Sequence, residues 1–187
     1  MGSRATFSVV GIVLVGVFLS SVFGKGSLTE PERINAEKAI YAAAMRQFAE
    51  DHLTTFSEIL IEDWFSRTYV HNGVEWVCNY GGRSDPLDRL SEDMKSEIST
   101  ALKEIEPRFR FIDSKAGFVR DNGGFGGEPA IPGSVLAGLD HVEFDEDGAT
   151  VSVGSWCGGL CSSKVTYRVT EVSDNWVVTE TLSWEVS

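Results

Sequence analysis

The sequence is short of cysteine, histidine, proline and positive charge, and these shortages narrow what the chain can be. Its 187 residues hold three cysteines, three histidines, five prolines and 16 Lys+Arg against 28 Asp+Glu. A formal net charge of -12 leaves no basic stripe to neutralise phosphates, which excludes nucleic acid as a partner and disfavours anionic membrane surfaces. Glycine and proline together make about 13% of the chain, well under the share of a low-complexity or collagenous sequence. Catalytic signatures are lacking too: there is no G-K-[ST] phosphate loop, no H-E-x-x-H zinc helix and no G-x-S-x-G nucleophile elbow, and no cofactor is implied. What is there is ordinary globular composition, 42% hydrophobic and 24% charged, enough chain for one domain.

The N-terminus speaks to compartment. Residues 5–24 carry no charge, follow a single Arg4 and end in Val22-Phe23-Gly24, with small residues where a signal peptidase reads. This is the pattern of a secretory signal peptide, and its length also fits an uncleaved membrane anchor. The expected organisation is residues 1–24 as signal peptide or anchor, 25–28 as linker and 29–187 as one domain. Membrane contact is expected only through residues 5–24 if they are retained. Loss of residues 1–24 removes only Arg4 among the charges and moves the net charge from -12 to -13.

An exported chain meets an oxidising setting, where Cys157 and Cys161 are the natural pair and Cys78 is left over. A bridge across Gly158-Gly159-Leu160 closes a very short loop, so its effect would be to pin a turn. The C-x3-C spacing, with no histidine within nine residues, is a poor match to zinc ligation, and no metal is assigned there.

Thr29-Glu30-Pro31-Glu32 has the form of a capping box, after which Ile34, Ile40, Tyr41, Ala44, Met45 and Phe48 describe the apolar stripe of a helix running to about Asp51. A short strand is expected at Ile59-Leu60-Ile61, and a hairpin around His71-Asn72-Gly73 between two β-rich stretches. A second helix, capped by Ser91 and striped by Leu90, Met94, Ile98, Ala101, Leu102 and Ile105, is stopped by Pro107. Residues 109–112 alternate like a strand, and residues 117–133 form a glycine-rich irregular loop, the kind that in a compact domain is mobile or functional. Residues 139–144, 149–156, 164–170 and 176–184 read as four successive antiparallel strands. The order implies an α+β domain: two amphipathic helices on one face of a curved antiparallel sheet of about six to seven strands, an order that a cystatin-like or NTF2-like arrangement satisfies.

Two glycine- or acid-rich segments imitate ligand loops and fail. Glu143, Asp145, Asp147 and Gly148 fall at positions one, three, five and six of a calcium loop, but Gly154 stands where the bidentate glutamate is needed. In residues 123–127 the third glycine of a dinucleotide fingerprint falls on Pro129. An acidic hairpin turn and a plain loop are the better readings.

The run from Val151-Ser152-Val153-Gly154-Ser155 through Trp156-Cys157-Gly158-Gly159-Leu160-Cys161, followed by Tyr167, Asn175-Trp176-Val177-Val178 and Trp184, resembles the ending of a group of uncharacterised bacterial proteins, often exported. Their W-C-G-x-L-C turn precedes an aromatic strand and a terminal Trp. The likeness covers about 40 residues; Ile40-Tyr41-Ala42-Ala43 and Arg46 fit it more loosely, and Glu185-Val186-Ser187 departs from it. It implies one domain with an exported or envelope location, and no activity.

His52, His71 and His141 each lie beside or near an acid. Adjacent strand residues point to opposite sides, so Asp140 and His141 should not meet. His141, expected in a strand, is the single weak catalytic candidate, with Asp140 or Glu143 as its carboxylate. Of the five tryptophans, Trp176 is expected to face the core with Val178, and Trp156 and Trp184 to lie beside them. Trp64 is the hardest to bury by pattern. The chain reads as an exported non-enzymatic binding module for a protein or envelope component, with the glycine-rich loop and the W-C-G-G-L-C turn as contact features and Trp64, Phe125, Trp156 and Leu160 as candidate binding residues. The alternative is a small pocket-bearing enzyme using His141. The geometry of the sheet's helix-facing side separates the two.

Overall fold

The computed structural model describes residues 28–52, 54–63, 65, 68–71, 74–77, 89–105, 108–113, 117–120, 127–159 and 161–186, with the backbone alone for 68–71 and 74–77. Residues 1–27, which include the segment expected to be a signal peptide or anchor, and Trp64, Cys78, Phe125 and Leu160 lie outside the described residues.

The helix read from the capping box is α1 (Glu30–Asp51). Glu32 reaches back to the Thr29 amide at 2.8 Å and the Thr29 hydroxyl at 2.7 Å, satisfying a donor that the first turn leaves open. These bonds hold the Glu32 carboxyl below its usual pKa. Ile40, Tyr41, Ala44, Met45 and Phe48 are buried as the stripe requires; Ile34 is an exception at 44% exposure, in the turn before packing begins at Ala36.

The remaining elements are β1 (Glu58–Glu62), β2 (Thr68–His71), β3 (Val74–Val77), α2 (Glu92–Leu102), β4 (Arg108–Ile112), β5 (Val119–Arg120), β6 (Glu128–Pro129), β7 (Ser134–Leu139), β8 (Glu143–Asp145), β9 (Gly148–Gly158), β10 (Cys161–Val172) and β11 (Asn175–Val186). The fold is α+β, two helices packed with a seven-stranded sheet in the order β11-β10-β9-β7-β1-β4, with β8 on β9. β2 and β3 pair as the expected hairpin, His71 opposite Val74, in a small sheet of their own.

The sheet is mixed, whereas the sequence reading had it wholly antiparallel. β1 runs parallel to both β4 and β7. A parallel return needs a crossover, and α2 provides it between β1 and β4. Strands covered on both faces become continuous apolar runs. Ile59, Leu60 and Ile61 of β1 are all fully buried, and every residue of β7 is buried. β7 was missed because its Ser134-Val135-Leu136-Ala137-Gly138 run has no alternation and follows the glycine-rich loop directly. The expected strand over 139–144 is likewise two pieces: β7 ends at Leu139, β8 starts at Glu143, and the chain between them is held by the Asp140 amide on the Ser152 carbonyl (3.0 Å) and the Val142 amide on the Tyr41 hydroxyl (3.3 Å).

The main core lies between the helices and one face of the sheet. Tyr41, Met45 and Phe48 of α1 and Ile98 and Leu102 of α2 close over Ile59, Ile61, Val135, Ala137, Leu139, Val151, Val153, Val165, Tyr167 and Val169. Each large side chain in such a layer contributes about 1.5–3 kcal/mol by burial, so this layer dominates stability. The opposite face carries a smaller cluster of Leu60, Ile112 and Leu136, against which Phe118, Val119 and Trp156 pack.

Candidate functional site

Cys157 and Cys161 are joined by a disulfide, with Cα atoms 5.3 Å apart, across the turn from β9 to β10. Gly158 and Gly159 both take positive φ there, +115° and +50°, a conformation that side chains resist. The turn docks on the described part of the glycine-rich loop. The Gly159 amide donates to the Gly127 carbonyl at 2.8 Å. A Cβ on Gly158 would lie 3.0 Å from Pro129 Cδ and 3.4 Å from Glu128 Cα, so with its positive φ glycine suits this close approach. The β5-β6 hairpin that presents Gly127, Glu128 and Pro129 is tied by Val119 pairing with Pro129 and by a solvent-exposed Arg120–Glu128 ion pair of 3.7 Å. The two contact features separated by some thirty residues in sequence are therefore one surface at one end of the sheet.

Of the four candidate binding residues, only Trp156 is described. It packs half-buried on Leu60, Ile112 and Leu136, on the face away from the helices. The expectation that it shares the core layer with Trp176 is corrected: residue 156 is out of phase with the inward Val151 and Val153, so the pleat turns it outward. Trp176 and Val178 do pack against the main core. Trp184 is 57% exposed, because α1 ends at Asp51; its ring lies 5.7 Å from that of His52.

His141 falls between β7 and β8, outside the strand expected for it, with its ring on Phe65 at a centroid distance of 4.4 Å. The Asp140 carboxylate meets the Lys164 ammonium at 3.1 Å. Burial raises the Asp140 carboxyl pKa, and the Lys164 charge opposes this only in part. One of its oxygens, Oδ1, is buried without a hydrogen-bond partner among the described residues. Lys164 is thus the ion-pair partner of Asp140, and the His141 charge acts on the same carboxyl. The helix-facing side of the sheet, where an enzyme pocket was expected, is filled by fully buried side chains.

Glu143, Asp145, Asp147 and Gly148 form the β8-β9 hairpin turn, where the Asp147 amide caps onto Asp145 Oδ1 at 2.9 Å and Arg168 pairs with Asp145. Among the described residues no group of three His, Cys, Asp or Glu side chains is placed to hold a metal ion, and no helix is long and apolar enough to cross a membrane.

Sequence reasoning missed one polar feature and one groove. Asp140, Ser152, Lys164 and Thr166 gather on the face away from the helices, where the Ser152 and Thr166 hydroxyls bond at 2.9 Å; their even spacing along β9 and β10 was the available signal. The groove runs along α1 between α2 and the start of β11, in two adjoining parts of about 740 and 640 Å³ that share Arg46, Glu50 and Ala101.

No protein-family model, curated protein or solved structure matches the chain.

Proposed function

We propose that the chain is an exported, non-enzymatic binding module of the cell envelope or exterior, and that it meets a protein or envelope component through the joined surface of the disulfide turn and the glycine-rich loop. The observation that carries this is the Gly159 to Gly127 hydrogen bond of 2.8 Å, which joins two segments that composition alone singled out. Loops held by a firm scaffold are where contact residues concentrate. The filled helix-facing side supports binding over the alternative of an acid-base enzyme. The leader-like residues 5–24 and the likeness of residues 151–184 to exported bacterial proteins support the location.

A photo-crosslinking amino acid placed at Glu128, in the full chain expressed in its native host, tests this. Expected is a discrete adduct in the envelope or medium fraction that disappears when Cys157 and Cys161 are both serine, while the same probe at Glu146, on the β8-β9 hairpin, gives none. Equal adducts from both positions, or none at Glu128, would overturn the assignment of this surface.

A further inference from the structure

The groove along α1 lies away from the disulfide turn and has a composition of its own. Its floor is small and apolar: Ala39, Ala42 and Ala43 of α1, with Ala101 of α2 at one side. Trp176, Val177 and Val178 of β11 form the opposite wall, and Trp176 is fixed by an edge-to-face contact with Phe144 (6.2 Å) whose ring also carries the Arg33 guanidinium at 5.5 Å. Alanines in place of larger side chains leave room for a second backbone to approach α1. The lining of the larger part runs from Ala39 to Glu50 along the helix, roughly 16 Å at the rise of an α-helix, which is about three turns of a docked helix.

The charges on the rim decide what fits. Arg46 is already paired with Glu50 at 2.9 Å. In the larger part Glu97 on the α2 side and Asp174 on the β11 side are both exposed, and neither makes a hydrogen bond or ion pair among the described residues; in the smaller part the exposed Lys103 and Glu104 offset each other in charge. A trough with an alanine floor and a tryptophan wall, rimmed by Gln47, Asn175 and two unneutralised carboxylates in a chain of net charge -12, matches a ligand with an apolar stripe and positive flanks. A second copy of this chain would bring the same carboxylates against themselves. We propose that the groove seats a basic amphipathic helical segment of a partner protein, apolar side chains down on the alanine floor and Lys or Arg reaching Glu97 and Asp174.

The probe is an 18-residue Leu/Lys peptide patterned as an amphipathic helix, with its Leu/Glu counterpart as comparison, titrated into the 15N-labelled chain at low and moderate salt. The Leu/Lys peptide is expected to shift the amides of Ala39, Ala42, Ala43 and Ala101 and the Leu/Glu peptide to leave them in place. The double variant Glu97→Gln/Asp174→Asn should bind about 3- to 10-fold more weakly at low salt, the effect of losing two exposed charge pairs. Asparagine suits position 174, where φ is +63°. The control Glu143→Gln/Glu146→Gln changes the net charge equally on the β8-β9 hairpin and should bind within twofold of the native chain. Equal weakening in both double variants would mean unspecific charge attraction and overturn the proposal. So would absence of binding, or binding that leaves the alanine amides unmoved. None of these results bears on crosslinking at Glu128, so the two surfaces stand or fall separately.

Discussion

The backbone amide of Gly159, in a turn closed by the Cys157–Cys161 disulfide, donates to the carbonyl of Gly127 at 2.8 Å and so locks that turn to the β5-β6 hairpin. Gly158 beside it has φ of +115°, and a Cβ there would lie 3.0 Å from Pro129 Cδ, a tight contact. Gly158→Ala should therefore cost about 1–3 kcal/mol through backbone strain and separation of the two segments. Gly117→Ala, where a Cβ meets nothing within 4 Å, should stay within about 0.5 kcal/mol. Urea denaturation of the two variants checks the contrast; equal midpoints would mean that the turn does not rest on the hairpin.

The disulfide closes a loop of a few residues, so its entropic effect on the unfolded chain is small, about 2 kcal/mol at most. Its consequence is local. Intact mass of the protein from its native host, with thiol labelling before and after reduction, should show one label before and three after, and loss of about the first 24 residues. A full-length mass with three reactive thiols would contradict both the bridge and the expected export.

How far the fold was legible depends on what each element packs against. α1 and α2 carry their own signals in caps and stripes, and both formed where Thr29 and Ser91 start them. The long hairpin strands β9, β10 and β11 alternate because one face meets the helices and the other is more open, as Val165, Tyr167 and Val169 show against Lys164, Thr166 and Arg168. β1 and β7 sit between neighbours with both faces covered, so alternation is lost, and nothing local in Ile59-Leu60-Ile61 states that its partners lie 50 and 76 residues away in parallel. The proposed contact surface was legible only in pieces: composition marked the turn and the loop, but their meeting depends on the Gly159 to Gly127 bond, a long-range fact. The α1 groove left no mark because alanines on a helix read as propensity rather than as a missing side chain.

Asp63, just past β1, ties the crossover to the sheet. It is buried, and its carboxylate meets Lys95 at 2.6 Å and Arg89 at 2.9 Å, while its backbone bonds Ile112 and Leu90. Lys95 is largely shielded and Arg89 is not. Lys95→Met should destabilise by about 2–4 kcal/mol, since it leaves a buried carboxylate with one solvent-screened partner. Arg89→Ala should cost under about 1 kcal/mol, as for an exposed pair. Equal losses by thermal and urea unfolding would show that both cations share the role.

Glu32 and Asp140 are carboxyls shifted in opposite directions, and they make opposite demands on pH. Glu32 is lowered by its bonds from Thr29, so the folded chain releases this proton more readily than the unfolded one. Its stabilisation is complete above the ordinary carboxylate range and disappears as pH falls through the lowered value. Glu32→Gln should thus be less stable than the native chain at pH 6, and the gap should close toward pH 3. Asp140 is raised by burial, so the folded chain holds that proton more tightly, and native stability at this site is greatest below the ordinary carboxylate range and declines as pH rises through the raised value. Asp140→Asn removes the titration while still offering Lys164 an acceptor, so relative to the native chain it should gain stability as pH rises. Urea midpoints for the three proteins between pH 3 and 7 decide this. If the Asp140→Asn curve runs parallel to the native one, burial does not govern this carboxyl in the folded protein.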